Sequence, residues 1–192
     1  MIVKALNVKE AILVAGTSLL QEKGIAALTQ PQVAKAANVK QSHLTYYFPT
    51  RADLLLGIAE RSITMAMAMT ATRLSEKPQQ ATLLSTLAEV MVSGVPPRVI
   101  IGLIVAADAE PDIRKSLRKL IKHVRIQIRS LLAAAGLTAD ADTVLLFHAS
   151  VVGLAIMHQA RMNKESAREV KDGVAALMRL LSPLPQHVET GD

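Results

Sequence analysis

Apolar residues recur at helical spacing along nearly the whole chain. Ile12, Ala15, Leu19 and Leu20 share one face of a helix predicted over 8–23, and Gly24 supplies its C-terminal stop. Thr29 opens a short second helix, with Gln32 at capping-box spacing and Pro31 in the first turn, where a missing N–H costs nothing. Val33, Ala34 and Ala37 form its inner face, and Asn38 can adopt the left-handed backbone that a tight turn demands. A third helix over 40–47 ends before Pro49. Thr50, at box spacing to Asp53, caps a fourth helix over 51–74 with Leu55, Ile58, Ser62, Met65, Met69 and Thr72 on one stripe. Later helices are predicted over 79–93, 98–109, 111–135, 139–162 and 165–181. Pro78, Gly94–Pro97, Pro111, Gly136 with a Thr138 cap, and Asn163 mark the breaks. The chain is therefore expected to be all-α with about nine helices. Residues 1–50 form a three-helix domain, residues 51–182 a helical domain, and 183–192 a disordered tail.

Composition agrees with this pattern. Hydrophobic residues make up 51% of the 192 residues, while Tyr46, Tyr47, Phe48 and Phe147 are the only aromatics, a balance that favours helices over sheet. The absence of cysteine excludes a disulfide framework, a thiol nucleophile and a Cys-based zinc site, and suits a reducing compartment. The net charge is +6, and residues 1–51 alone carry six basic groups against Glu10 and Glu22. Such a basic segment attracts polyanions before any specific contact forms. The apolar stretch 11–20 follows Glu10 and lacks a small-residue cleavage site, so it does not fit a signal peptide. The uncharged stretch 143–160 contains Thr143, His148, Ser150, His158 and Gln159 and fits a buried interface helix better than a bilayer span. A soluble, cytoplasmic protein without stable membrane insertion is expected.

Two short helices about a tight turn are the geometry of a helix-turn-helix. On the predicted third helix Leu44 and Phe48 face inward, while Gln41, Ser42, His43, Thr45 and Tyr46 make a polar, uncharged outer face. Gln can pair with adenine, and Ser or Thr can serve either base type in a major groove. Thr29 and Thr50 at helix N-termini, Lys40, Arg51 and the tyrosine hydroxyls offer the groups that phosphates prefer. Successive helix positions point about 100° apart, so Tyr46 and Tyr47 cannot both be inside.

The runs Gly24-Ile25-Ala26-Ala27-Leu28-Thr29, Val33-Ala34-Lys35-Ala36-Ala37-Asn38-Val39 and Leu44-Thr45-Tyr46-Tyr47-Phe48-Pro49-Thr50-Arg51-Ala52-Asp53-Leu54-Leu55 resemble the N-terminal domain of the tetracycline-repressor (TetR) family of transcriptional regulators. The resemblance covers about residues 8–60. It implies a homodimer, a palindromic double-stranded DNA operator and a small-molecule inducer. It assigns DNA contacts to Thr29, Gln30, Gln41, Ser42, His43, Tyr46, Tyr47 and Arg51. The chain departs from the pattern at three places. Asn38 stands where the family usually has Gly. Lys40 replaces a common Ser, trading a side-chain cap for a phosphate-seeking charge. Thr45 replaces a frequent Tyr, which moves a phosphate contact to Tyr46 or Tyr47.

The remaining signals are weaker. The histidines do not form a metal constellation: His148 and His158 are ten apart, not four. No nucleophile–base pair or phosphate-binding glycine loop is present, so no enzyme, cofactor or metal is expected. Asp108, Glu110 and Asp112 flank a helix start, where they offset the helix dipole. Met65, Met69 and Met91 could line a pocket for a mainly hydrophobic inducer, with Ser62, Thr72, Arg98 and His148 as polar anchors. Val99–Ala107 has no polar side chain and is expected to be surrounded by other helices. Ala149, Gly153 and Ala155, with Val174, Leu177 and Met178 on the next helix, suit a two-fold dimer face. The helix over 111–135 holds no acid after Asp112. Its basic residues fit a solvated face, an anionic inducer, or, as an alternative function, peripheral binding to an anionic membrane.

Overall fold

The computed structural model describes residues 2–92 and 95–182, and of residues 2–7 and 95–96 only the backbone. Among the described residues every element is helical. These are α1 (Ile2–Lys23), a 3-10 turn (Ile25–Ala27), α2 (Gln30–Ala36), α3 (Gln41–Tyr47) and α4 (Arg51–Glu76). The chain continues through α5 (Gln80–Val92), α6 (Val95–Ala109), α7 (Pro111–Ala134), α8 (Ala141–Arg161) and α9 (Lys164–Leu181). The expected tail, 183–192, and Gly94 lie outside the described residues.

Helices α1, α2 and α3 close over Ile12, Leu20, Leu28, Val33, Leu44 and Phe48, all buried. The same core continues without a gap through Leu54, Leu55 and Ile58 of α4 into Val99 and Leu103 of α6. Gly102 faces Ile25 so closely that a Cβ there would clash with its Cδ1. Helix α4 packs against α1, α5, α6 and α7, and α8 and α9 form a packed pair at the other side of the bundle. Gly173 of α9 lets that pair approach, because a Cβ there would meet Leu154 Cδ2 at 2.8 Å.

Most breaks fall where capping chemistry puts them. Thr50 Oγ1 accepts from the Asp53 N–H at 3.0 Å, and the Asp53 carboxylate accepts from the Thr50 N–H at 2.9 Å, completing a capping box. At Thr29 only the forward half forms: its hydroxyl accepts from Gln32 N, but its own N–H donates to Ala27 O of the 3-10 turn. Asn38 takes φ 53°, the left-handed turn conformation expected of it.

Other boundaries differ from expectation. Helix α1 starts at Ile2, not near residue 8. Helix α6 begins at Val95, because prolines 96 and 97 sit in its first turn, where no intrahelical N–H is needed. The cap of α8 is Asp140 and not Thr138. Its carboxylate accepts from both the N–H and hydroxyl of Thr143, at 2.8 and 2.9 Å, and those two bonds hold its pKa below the usual aspartate value. Val99–Ala107 is not enclosed either: Val99, Leu103 and Ala107 are buried, but Ile101, Ile104 and Val105 are exposed on the single chain.

Candidate DNA-reading face and apolar cavity

Helix α3 is held by what it buries. Leu44 is fully buried, and Phe48 is wedged between α1 and α4, where a Cβ on Gly57 would come within 2.7 Å of its ring and 3.1 Å of Leu13. The Lys9 ammonium lies over the Phe48 ring, 5.9 Å from its centroid. The turn into α3 is closed by Val39 N–H to Ala34 O at 3.0 Å.

Four of the residues expected at DNA spend their hydrogen-bonding groups on this scaffold. The Gln30 amide donates to Phe48 O at 2.7 Å and Pro49 O at 3.0 Å, pinning the start of α2 to the end of α3. The Arg51 guanidinium donates to Leu28 O at 3.0 Å and Ile25 O at 2.9 Å, satisfying carbonyls at the 3-10 turn. Thr50 is occupied in its box. Thr45 turns its hydroxyl back to Gln41 O and Ser42 O.

Gln41, Ser42 and His43 are exposed, and their side chains make no hydrogen bond among the described residues. Tyr46 projects outward with 79% of its surface exposed, while Tyr47 packs partly against the core; their rings meet edge-on at 5.1 Å. The adjacent tyrosines thus divide as helix geometry requires. Lys40 and Lys35 flank the face, both exposed. Lys35, on α2, had no signal beyond its charge. The exposed face is polar and uncharged with lysines on α2 and at the α3 start, a set of groups suited to base edges and phosphates.

Helices α4 to α8 line an apolar cavity of about 130 Å³. Helix α4 contributes Ile63, Ala66 and Met67, and α5 contributes Leu87 and Met91. Pro97 of α6, Ile121 and Val124 of α7, and Phe147, His148 and Val151 of α8 close it. Of the residues expected at a ligand, Met91 and His148 line this cavity. Met65 is exposed, Met69 lies off the cavity, and Ser62, half-buried and also off the cavity lining, has a buried hydroxyl with no partner among the described residues. Thr72 is exposed. Helical periodicity misplaces this stripe because α4 packs against α1, α5, α6 and α7, so more than one of its faces is covered. Arg98 is not an anchor of the cavity. It donates to Leu20 O at 3.0 Å, Gln21 O at 3.3 Å and Gln159 Oε1 at 2.8 Å, tying the end of α1 to α6 and α8.

His148 is the one titratable side chain at the cavity wall among the described residues. Burial, and then the nearby Arg125 charge, push its pKa below the ordinary value of 6.5, so the folded protein holds it neutral at pH 7. As pH falls through 6.5, the unfolded chain takes up this proton before the folded one does. Stability should therefore fall on acidification and level off once the folded pKa is passed. Denaturant melts from pH 7.5 to 5 should show this loss reduced in His148→Gln; an unchanged slope would contradict a neutral folded His148.

Charged groups elsewhere pair locally. Asp108 bonds Arg114 at 3.0 Å, so the carboxylates near Pro111 serve an ion pair as well as a helix start. Glu10 meets Arg61 at 2.6 Å across α1 and α4. On the face expected for dimerisation, Ala155, Val174 and Met178 are instead buried within the chain, whereas Leu145, Leu146 and Met157 are exposed and Gly153 opens onto free space.

An N-terminal helix-turn-helix on an α-helical body with an internal apolar cavity defines a DNA-binding transcriptional regulator. Residues 12–58, the helix-turn-helix head and the start of α4, match the family model "Bacterial regulatory proteins, tetR family". The chain is 25% identical over 185 residues to the HTH-type transcriptional regulator CymR of Pseudomonas putida, covering 92% of this chain and 91% of the relative. Its fold is that of the multidrug binding protein EbrR complexed with imidazole, at TM-score 0.60 and 23% identity over 92% of this chain and 90% of the other. A transcriptional regulator from Saccharomonospora viridis in complex with choline shares the fold at TM-score 0.68 and 15% identity, over 89% and 95% of the two chains. Members of this family are regulators, not enzymes.

Proposed function

We propose that the chain represses transcription from a palindromic operator, which it binds as a two-fold dimer and leaves when a small, mainly hydrophobic molecule fills the cavity. One observation carries the reading: α4 is a single continuous helix that starts at the Thr50 box under the reading head and supplies Ile63, Ala66 and Met67 to the cavity wall. Displacement of its middle moves its N-terminus, and with it α3. A second link runs through α6, where Pro97 lines the cavity and the next residue, Arg98, grips the end of α1. A shift from 1:99 to 99:1 between binding and released states needs a ligand preference of about 5.5 kcal/mol. A nearly all-aliphatic wall favours apolar ligands and offers little to sugars or nucleotides.

Selection of DNA sites with the purified protein should return an inverted repeat whose half-sites are about one helical turn apart, roughly 34 Å, or a multiple of it. Replacing Gln41 or His43 by Ala should cost about 1–3 kcal/mol on that site and little on random DNA. Lys40→Ala should weaken all sequences alike and flatten the salt dependence. Uniform losses from both kinds of variant would refute the assignment of α3 as the reading helix.

A further inference from the structure

Outside the cavity, a groove of about 530 Å³ runs between α7 and the start of α8. Arg118, Lys122, Arg125 and Arg129 line it. Their spacing sets them along one side of α7, and none of them is in an ion pair among the described residues. Four unpaired cations on one groove repel one another and are held there only by the packing of α7 beneath them. Along the chain the acids nearest the four are Asp112 at the α7 start and Asp140 and Asp142 at the α8 start, and Asp140 is committed to its bonds with Thr143. The groove adjoins the cavity. Ile121 lines both, and one turn of α8 carries the wall from Val144 in the groove to His148 in the cavity. Arg125 is close enough to His148 for its charge to disfavour protonation of that ring.

We infer that the two spaces form one amphipathic site whose ligand is a hydrophobic carboxylate, its hydrocarbon body in the cavity and its anionic head among Arg125, Lys122 and their neighbours, past Ile121. The inference rests on the proposed inducer site and narrows its ligand class. The cavity, at about 130 Å³, is close in size to engineered apolar cavities of about 150 Å³ that hold a benzene ring. A body of that size brings too little apolar area for tight binding by itself, and a cluster of cations at its mouth supplies the remainder through charge-assisted hydrogen bonds. The neutral ring of His148 at the junction can accept or donate one hydrogen bond without adding charge inside.

The test uses octanoate, octan-1-ol and acetate, titrated calorimetrically into the full chain at fixed ionic strength. Octanoate should bind about tenfold or more tighter than octan-1-ol, and acetate, a head without a body, should not bind measurably. In Arg125→Gln the preference for octanoate should collapse while octan-1-ol binding is retained, and Arg125→Lys should keep most of it. Thermal melts of each variant confirm that the fold is intact. Equal binding of the acid and the alcohol would overturn the inference and leave a hydrophobic inducer standing. So would a preference that survives Arg125→Gln together with Lys122→Gln, or failure of octanoate to bind at all. Operator binding by the ligand-free protein is measured separately, so failure of the DNA reading would show there and not in these titrations.

Discussion

Replacing Gly153 by Arg is expected to yield a folded monomer that has lost its operator. A Cβ at Gly153 meets nothing within 4 Å, so the single chain accommodates the new side chain, and removing a mid-helix glycine should if anything favour α8 by roughly 1 kcal/mol. The exposed Leu145, Leu146 and Met157 lie on the same helix. A second copy packed there by two-fold symmetry would place the two Gly153 regions close together, and two arginines in that contact would be buried without partners. One short reading helix spans too few base pairs to select a site, so specific affinity should fall towards that for random DNA, about a thousandfold or more. Sedimentation and operator titration read the two effects. A variant that stays dimeric would show that the interface lies elsewhere, for instance on the exposed Ile101, Ile104 and Val105 of α6. Gly173→Ala is the contrasting substitution: its Cβ would press on Leu154 inside the chain, so it should lower stability first.

Phe48→Ala should cost about 3–5 kcal/mol of stability, the range for deleting a large aromatic from a packed core. Phe48 is 4% exposed, and its ring fills the space between Leu13 of α1 and Gly57 of α4. Its backbone closes α3 by donating to Leu44 O at 2.8 Å, and its carbonyl receives the Gln30 amide. Loss of the ring therefore frees the end of α3 from two helices at once. Urea unfolding measures the cost, and operator binding should drop more than in Gln41→Ala, because the whole reading helix loses its seat. A loss below about 1 kcal/mol would mean that the site collapses around the deletion and that Phe48 does not anchor α3.

The reading head was legible because its signals are local. Gly24, Thr29, Asn38, Pro49 and the Thr50–Asp53 pair each act within a few residues, and the structure uses every one as a stop, a cap or a turn. The division of Tyr46 from Tyr47 follows from helix rotation alone. From α5 to α9 such markers set where helices break, as Pro111 and Asn163 do, but not which faces pack. The helices of the second domain are made of Leu, Ile, Val, Met and Ala on more than one face, so the pattern says that a residue is apolar and not what covers it. Met65 was expected at the cavity and is 54% exposed, while Met67, two positions on, lines it.

Polar residues show the same limit from the other side. Gln30, Arg51 and Arg98 look like ligand or phosphate contacts as isolated side chains, yet each bonds backbone carbonyls far away in sequence. Arg98 reaches Leu20, 78 positions earlier, a partner that exists only once α1 and α6 have docked. The sequence by itself determined the all-helical class, the helix-turn-helix and its polar face, since caps, turns and helical periodicity are short-range properties of the backbone. The tertiary structure alone decided which apolar face encloses the cavity, which cations stay unpaired beside it, and which arginines hold the fold, because those depend on long-range packing among interchangeable aliphatic surfaces.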